Sequence, residues 1–88
     1  MIDVKPTDDW TFEVTVTGRR TTTHTVEVDP SYYRQLTGSR VPPKALVEKS
    51  FEFLLEREPN TSILERFDLS VISRYFPEYE RTIPKLLA

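Results

Sequence analysis

Apolar and polar positions follow two rhythms along this 88-residue chain, and the change of rhythm predicts its elements. From Pro43 to Glu58, PKALVEKSFEFLLERE, apolar side chains recur at helical spacing. At about 100° per residue, Leu46, Val47, Phe51, Phe53, Leu54 and Leu55 cover an arc of roughly 200°, wider than the ~100° stripe of a one-sided surface helix. Lys44, Glu48, Lys49, Glu52 and Glu56 fill the remainder as a solvated ridge. A helix patterned this way has to be covered from two directions, and the other segments are read as its cover.

The second rhythm has a period of two. Trp10, Phe12, Val14 and Val16 alternate with Thr11, Glu13, Thr15 and Thr17; His24, Val26 and Val28 alternate with Thr23, Thr25 and Glu27. Threonine and valine at this density favour strands, because both are β-branched. Both inward sets fall on even numbers, so partners across the hairpin must have an even sum and the loop around Gly18-Arg19-Arg20 an odd number of residues. A three-residue loop pairs Thr17 with Thr21, and therefore Val14 with His24, Phe12 with Val26 and Trp10 with Val28. A five-residue loop keeps the same parity. The outer face becomes a solvated threonine ladder.

The remaining segments carry local punctuation. Asp29-Pro30 is an N-cap followed by proline at the first helical position, Tyr32, Tyr33 and Leu36 share one side, and Gly38 closes the helix. Pro59 stops the central helix. Ser62 and Glu65 read as a capping box for one short helix, and Asp68 caps a second running to Phe76, with Phe67 and Ile72 placed as a staple. Pro77 breaks it, and Pro84 argues against a long helix after it. Residues 1–9, with Pro6 and three aspartates, read as a flexible N-terminal arm, residues 10–80 as a single α+β domain and residues 81–88 as a C-terminal tail. The predicted fold is α+β: an antiparallel β-hairpin packed on a central amphipathic helix, with additional short helices, in the order β-β-α-α-α-α.

Composition narrows the function classes. Cysteine is absent, which removes disulfides, thiolate nucleophiles and thiolate zinc sites. The net charge is −2, so no uniform field draws nucleic acid. Residues 1–17 and 50–80 are acidic on balance and residues 18–49 basic, a pattern that more often neutralises itself in the fold than marks two binding faces. No apolar run reaches a membrane span of ~20 residues, and Met1-Ile2-Asp3 does not open a signal peptide, so a cytoplasmic location and no membrane partner are expected.

No catalytic, cofactor or metal constellation emerges. His24, the only histidine, reads as a rim side chain half packed against Val14 or Val16. Glu48, Glu52 and Glu56 stand at i, i+4 and i+8 and read as a solvated ridge. The two glycines form no phosphate loop, and no serine has a strand-elbow setting. Arg19, Arg20, Arg34, Arg40 and Lys44 could gather into a basic patch. Residues 62–76, SILERFDLSVISRYF, have the outline of a helix-turn-helix, in which Arg66, Ser70, Ser73 and Arg74 would face phosphates and base edges. Pro77 truncates its second helix, however, and four acids stand against three arginines over residues 61–82, so nucleic acid is the weaker reading.

FEFLLEREP followed by ILERFDLSVISRYFPEYE resembles a family of short bacterial proteins to which no activity is assigned. The resemblance implies a bacterial cytoplasmic setting and carries over no catalytic residue. The reading that results is a small non-enzymatic interaction module for a protein partner or a second copy, with a DNA-binding regulator or antitoxin-like protein as the alternative. Ten aromatics shared among few elements should leave an exposed apolar patch, with Tyr32, Tyr33, Tyr75, Phe76 and Tyr79 as its contributors.

Overall fold

The computed structural model describes residues 1–88. Its order is β1 (Ile2–Pro6), β2 (Thr11–Val16), β3 (Thr22–Glu27), α1 (Pro30–Thr37), α2 (Pro43–Leu55), β4 (Arg66–Asp68), α3 (Ile72–Tyr75) and α4 (Tyr79–Leu87), with 3₁₀ turns at Asn60–Ser62 and Leu69–Val71. The fold is α+β, and the sheet is mixed: four strands in the order β1-β2-β3-β4, the first three antiparallel and β4 parallel to β3. The hairpin is therefore the centre of a larger sheet. A parallel neighbour needs a crossover, and α1 and α2 together supply it between Glu27 and Arg66.

The hairpin has the expected register. Val14 faces His24, Phe12 faces Val26, and Val28 N–H donates to Trp10 O at 2.8 Å. Strand pairing stops at Val16–Thr22, which leaves residues 17–21 as a loop of odd length. Parity decided this outcome: any one-residue slip would have put every valine on the threonine face.

Residues 1–9 are not a free arm. Ile2 and Val4 lie opposite Val16 and Val14, Val4 is buried, and Thr17 N–H donates to Met1 O at 2.9 Å. Nor are residues 81–88 a tail, since α4 runs to Leu87 with Pro84 inside it. Pro84 lacks the N–H that would bond Glu80 O, but it lies on the exposed side, where water reaches that carbonyl. Tyr79 and Ile83 on the other side are fully buried and hold the helix down.

The wide apolar arc of α2 is covered twice, as its pattern requires. Phe51 faces the sheet, with its ring 5.5 Å from His24 and 6.1 Å from Phe67. Phe53, two residues on, meets Tyr79 at 5.2 Å and Phe76 at 5.9 Å, both edge-on. The helix is thus held between the sheet and the α3–α4 layer, and 19 buried apolar residues form one continuous cluster. Asp29 and Gly38 cap α1 as their residue types dictate: Asp29 accepts from Ser31 N–H, and Gly38 takes the left-handed conformation at φ 62°.

A candidate docking groove

The groove lies where α2 ends, between the chain that leaves it and α3. Leu54 and Glu58 form one wall, Ser62, Ile63 and Leu64 a second, and Val71, Ile72, Tyr75 and Phe76 the third, with Phe67 of β4 at the base. Its volume is about 180 Å³, and eight of its ten lining residues are hydrophobic. Leu64 and Tyr75 stand at its rim, 47% and 67% exposed.

A polar relay under the sheet positions the second wall. Asn60 donates from Nδ2 to Arg20 O at 2.8 Å and to Thr22 Oγ1 at 2.9 Å. Thr22 Oγ1 lies 2.9 Å from His24 Nε2, and His24 Nδ1 lies 2.7 Å from Leu64 O. A carbonyl can only accept, so Nδ1 carries the proton and, in the neutral ring, Nε2 accepts from Thr22. His24 is accordingly an interior residue, 2% exposed, and not the half-packed rim side chain expected. It pins residues 60–64 to the hairpin. Thr25 N–H then takes Glu65 O at 2.7 Å and starts β4. The capping box expected from Ser62 and Glu65 does not form, because this segment is recruited as the fourth strand.

β4 also removes the helix-turn-helix. Arg66 lies in a strand and pairs with Glu27. Ser70 Oγ donates to Asp68 Oδ1 at 2.7 Å and Ser73 Oγ to Ser70 O at 2.9 Å, so both hydroxyls serve the local cap. Arg74 is exposed in α3, a helix of four residues. The four residues belong to three separate elements, and no recognition helix exists among them. The basic patch is divided as well. Arg19 and Arg20 sit at the hairpin loop, while Arg34, Arg40 and Lys44 sit around the α1–α2 corner, beyond the other end of six-residue strands of about 20 Å.

The five aromatic rings also separate. Tyr79 and Tyr33 are interior, at 0% and 8% exposure. Tyr33 donates to Val41 O, and its ring stands 5.5 Å from Trp10. Tyr32 and Phe76 are half-buried against the core, Tyr32 donating to Glu80 Oε2 at 2.8 Å. Tyr75 alone is exposed, and it comes together with Phe76 at the groove. Tyr32, Tyr33 and Tyr79 were drawn inward because each of their hydroxyls found an acceptor, which removes the penalty for burying it.

Leu54, Phe67 and Ile72, read from the sequence only as core or staple positions, and Ser62, read as a helix cap, also line the groove, together with Glu58, Ile63, Leu64 and Val71, which carried no functional reading. The one available signal was Leu64 next to Ile63, since adjacent apolar residues in a strand-like segment cannot both face inward.

Electrostatically the site is plain. Glu58 is its only charged lining residue, half-buried, and burial pushes its carboxyl above the usual range. It takes part in none of the ion pairs. No group of three or more histidine, aspartate or glutamate side chains is placed to hold a metal ion. No helix is long and apolar enough to cross a membrane. These features describe a small α+β domain with an apolar groove on its helical side. No family model matches the chain, no curated protein matches it, and no solved structure matches its fold.

Proposed function

We propose that this protein is a non-enzymatic interaction module of the bacterial cytoplasm, and that it docks an apolar side chain of a protein partner in the groove between the end of α2 and α3. The observation that carries this reading is the exposure of Leu64 and Tyr75 at the rim of a preformed apolar depression. Burying two such rim side chains on a partner is favourable at about 25 cal/mol per Å² of apolar surface. A pocket ringed by such residues is where interface hot spots concentrate. The lining supplies one carboxylate and two hydroxyl groups, with no histidine or cation among predominantly apolar side chains, which favours recognition over chemistry.

The test is selection of a random peptide library on the folded protein, with binding mapped by amide shifts. The expected result is enrichment of peptides sharing one bulky apolar residue, with shifts at residues 62–64 and 71–76. Leu64→Ser should weaken that binding about tenfold, a loss of ~1.4 kcal/mol. Leu64 is half exposed, so the variant should keep its fold. Peptides that map to the threonine face would overturn the reading. So would self-association in sedimentation that Leu64→Ser abolishes.

A further inference from the structure

We infer that the segment recognised in this groove carries one aromatic or large aliphatic side chain with a lysine or arginine beside it, the apolar side chain filling the groove and the cation pairing with Glu58. This inference rests on the docking reading above and specifies its partner.

Two observations carry it. The first is size. A closed apolar cavity of about 150 Å³ is known to accept a benzene ring, so a groove of 180 Å³ takes one ring-sized side chain and not two. The second is the state of Glu58. The one basic residue beside it in sequence, Arg57, is already committed. Arg57 donates to Glu78 Oε2 at 3.1 Å and to Phe53 O at 2.9 Å, its guanidinium lies 3.6 Å from the Phe53 ring centroid, and it approaches Glu56 at 3.6 Å. Glu58 is left half-buried at an apolar lip without a cation. A carboxylate in that position is costly to desolvate further, so an uncharged or acidic partner closing over it would be disfavoured, whereas a cationic partner supplies the missing counter-charge. Complementarity of this kind sets specificity more than affinity.

The experiment titrates three acetylated, amidated peptides, Gly-Trp-Lys-Gly, Gly-Trp-Glu-Gly and Gly-Ala-Lys-Gly, into the labelled full chain and follows amide shifts. The expected result is that the Trp-Lys peptide shifts the Leu64 and Ile72 amides and binds about fivefold tighter than Trp-Glu, the size of one partly exposed charge pair. The Ala-Lys peptide should leave those amides unmoved, and Glu58→Gln should bring the two Trp peptides to equal affinity. Equal affinity on the unaltered protein, with both peptides shifting Leu64 and Ile72, would overturn the cationic partner and leave the groove reading intact. No shift at those amides from either Trp peptide would overturn both. A second copy would meet the same requirement through Arg74-Tyr75. Concentration-dependent self-association abolished by Tyr75→Ser would therefore reassign the groove to a dimer.

Discussion

Ser50 is a hydroxyl on the buried face of α2 with 0% exposure, and the packing of α4 depends on how it is satisfied. It donates to Leu46 O at 2.7 Å, and Tyr79 Oη lies 2.6 Å from its oxygen. With the serine proton committed to the carbonyl, Tyr79 must be the donor to Ser50. The two deletions are consequently unequal. Tyr79→Phe leaves Ser50 bonded to Leu46 and should cost about 1 kcal/mol, one hydrogen bond. Ser50→Ala leaves the Tyr79 hydroxyl buried with no acceptor and should cost about 2–3 kcal/mol. Urea denaturation of both variants checks the order, and a larger loss in Tyr79→Phe would contradict it. Burial, followed by the neighbouring Tyr32 and Glu80, raises the Tyr79 pKa, so the folded chain resists losing this proton. Below pH about 10 the residue is neutral folded or unfolded, and its contribution is fully present. Above that pH the unfolded chain ionises and the folded one does not, so stability falls by at most ~1.4 kcal/mol per pH unit from this residue. Between about pH 9.5 and 11 the urea midpoint should therefore fall more steeply in the unaltered protein than in Tyr79→Phe. Parallel slopes would show that Tyr79 ionises as easily in the fold as outside it.

Among the elements, those whose signals are local were legible and those made by distant partners were not. The hairpin register followed from parity because both of its strands carry their own alternation, and α1 and α2 followed from caps and period. β1 was missed because it offers only Ile2 and Val4 before Pro6, too short an alternation to stand alone. It is a strand because β2 had an unsatisfied edge. The same two residues share the even parity of the hairpin, which in hindsight was the available signal. β4 was missed for the opposite reason. Its flanks, Ser62, Glu65 and Asp68, carry genuine cap chemistry, and Asp68 does cap the 3₁₀ turn at Leu69–Val71. Over Arg66–Asp68 pairing with β3 outweighed helix propensity, which is a weak prior over three residues. The groove inherits this history. It exists because residues 60–68 were drawn onto the sheet and away from α3, so a reading that made them helical placed Phe67 and Ile72 correctly in the interior but could not expose Leu64.

At the scale of the whole molecule, the ion pairs do little to cancel the blocks of charge along the chain. Arg66 of the acidic last third pairs with Glu27 of the basic middle, Arg57 and Glu78 both belong to the acidic block, and Lys49–Glu52 alone joins a basic-block cation to an acidic-block carboxylate. The Cα radius of gyration is 11.9 Å, close to the ~12 Å expected for a compact chain of this length. The remaining cations are spread over this body, 35 Å in its longest extent: Arg19 and Arg20 at the hairpin loop, Arg34, Arg40 and Lys44 around the α1–α2 corner, Arg74 on α3, and Arg81 and Lys85 on α4. Duplex DNA binds through counterion release, and affinity rises with the number of phosphates neutralised at once. A cluster of two or three cations on a chain of net charge −2 neutralises few. Affinity for random duplex DNA at physiological salt is therefore expected to be weaker than ~10⁻⁴ M, the lower edge of ordinary non-specific binding. A mobility-shift titration checks this. A salt-dependent shift at low micromolar protein would contradict it, and loss of that shift in Arg74→Glu would place the contact on α3 despite the missing recognition helix.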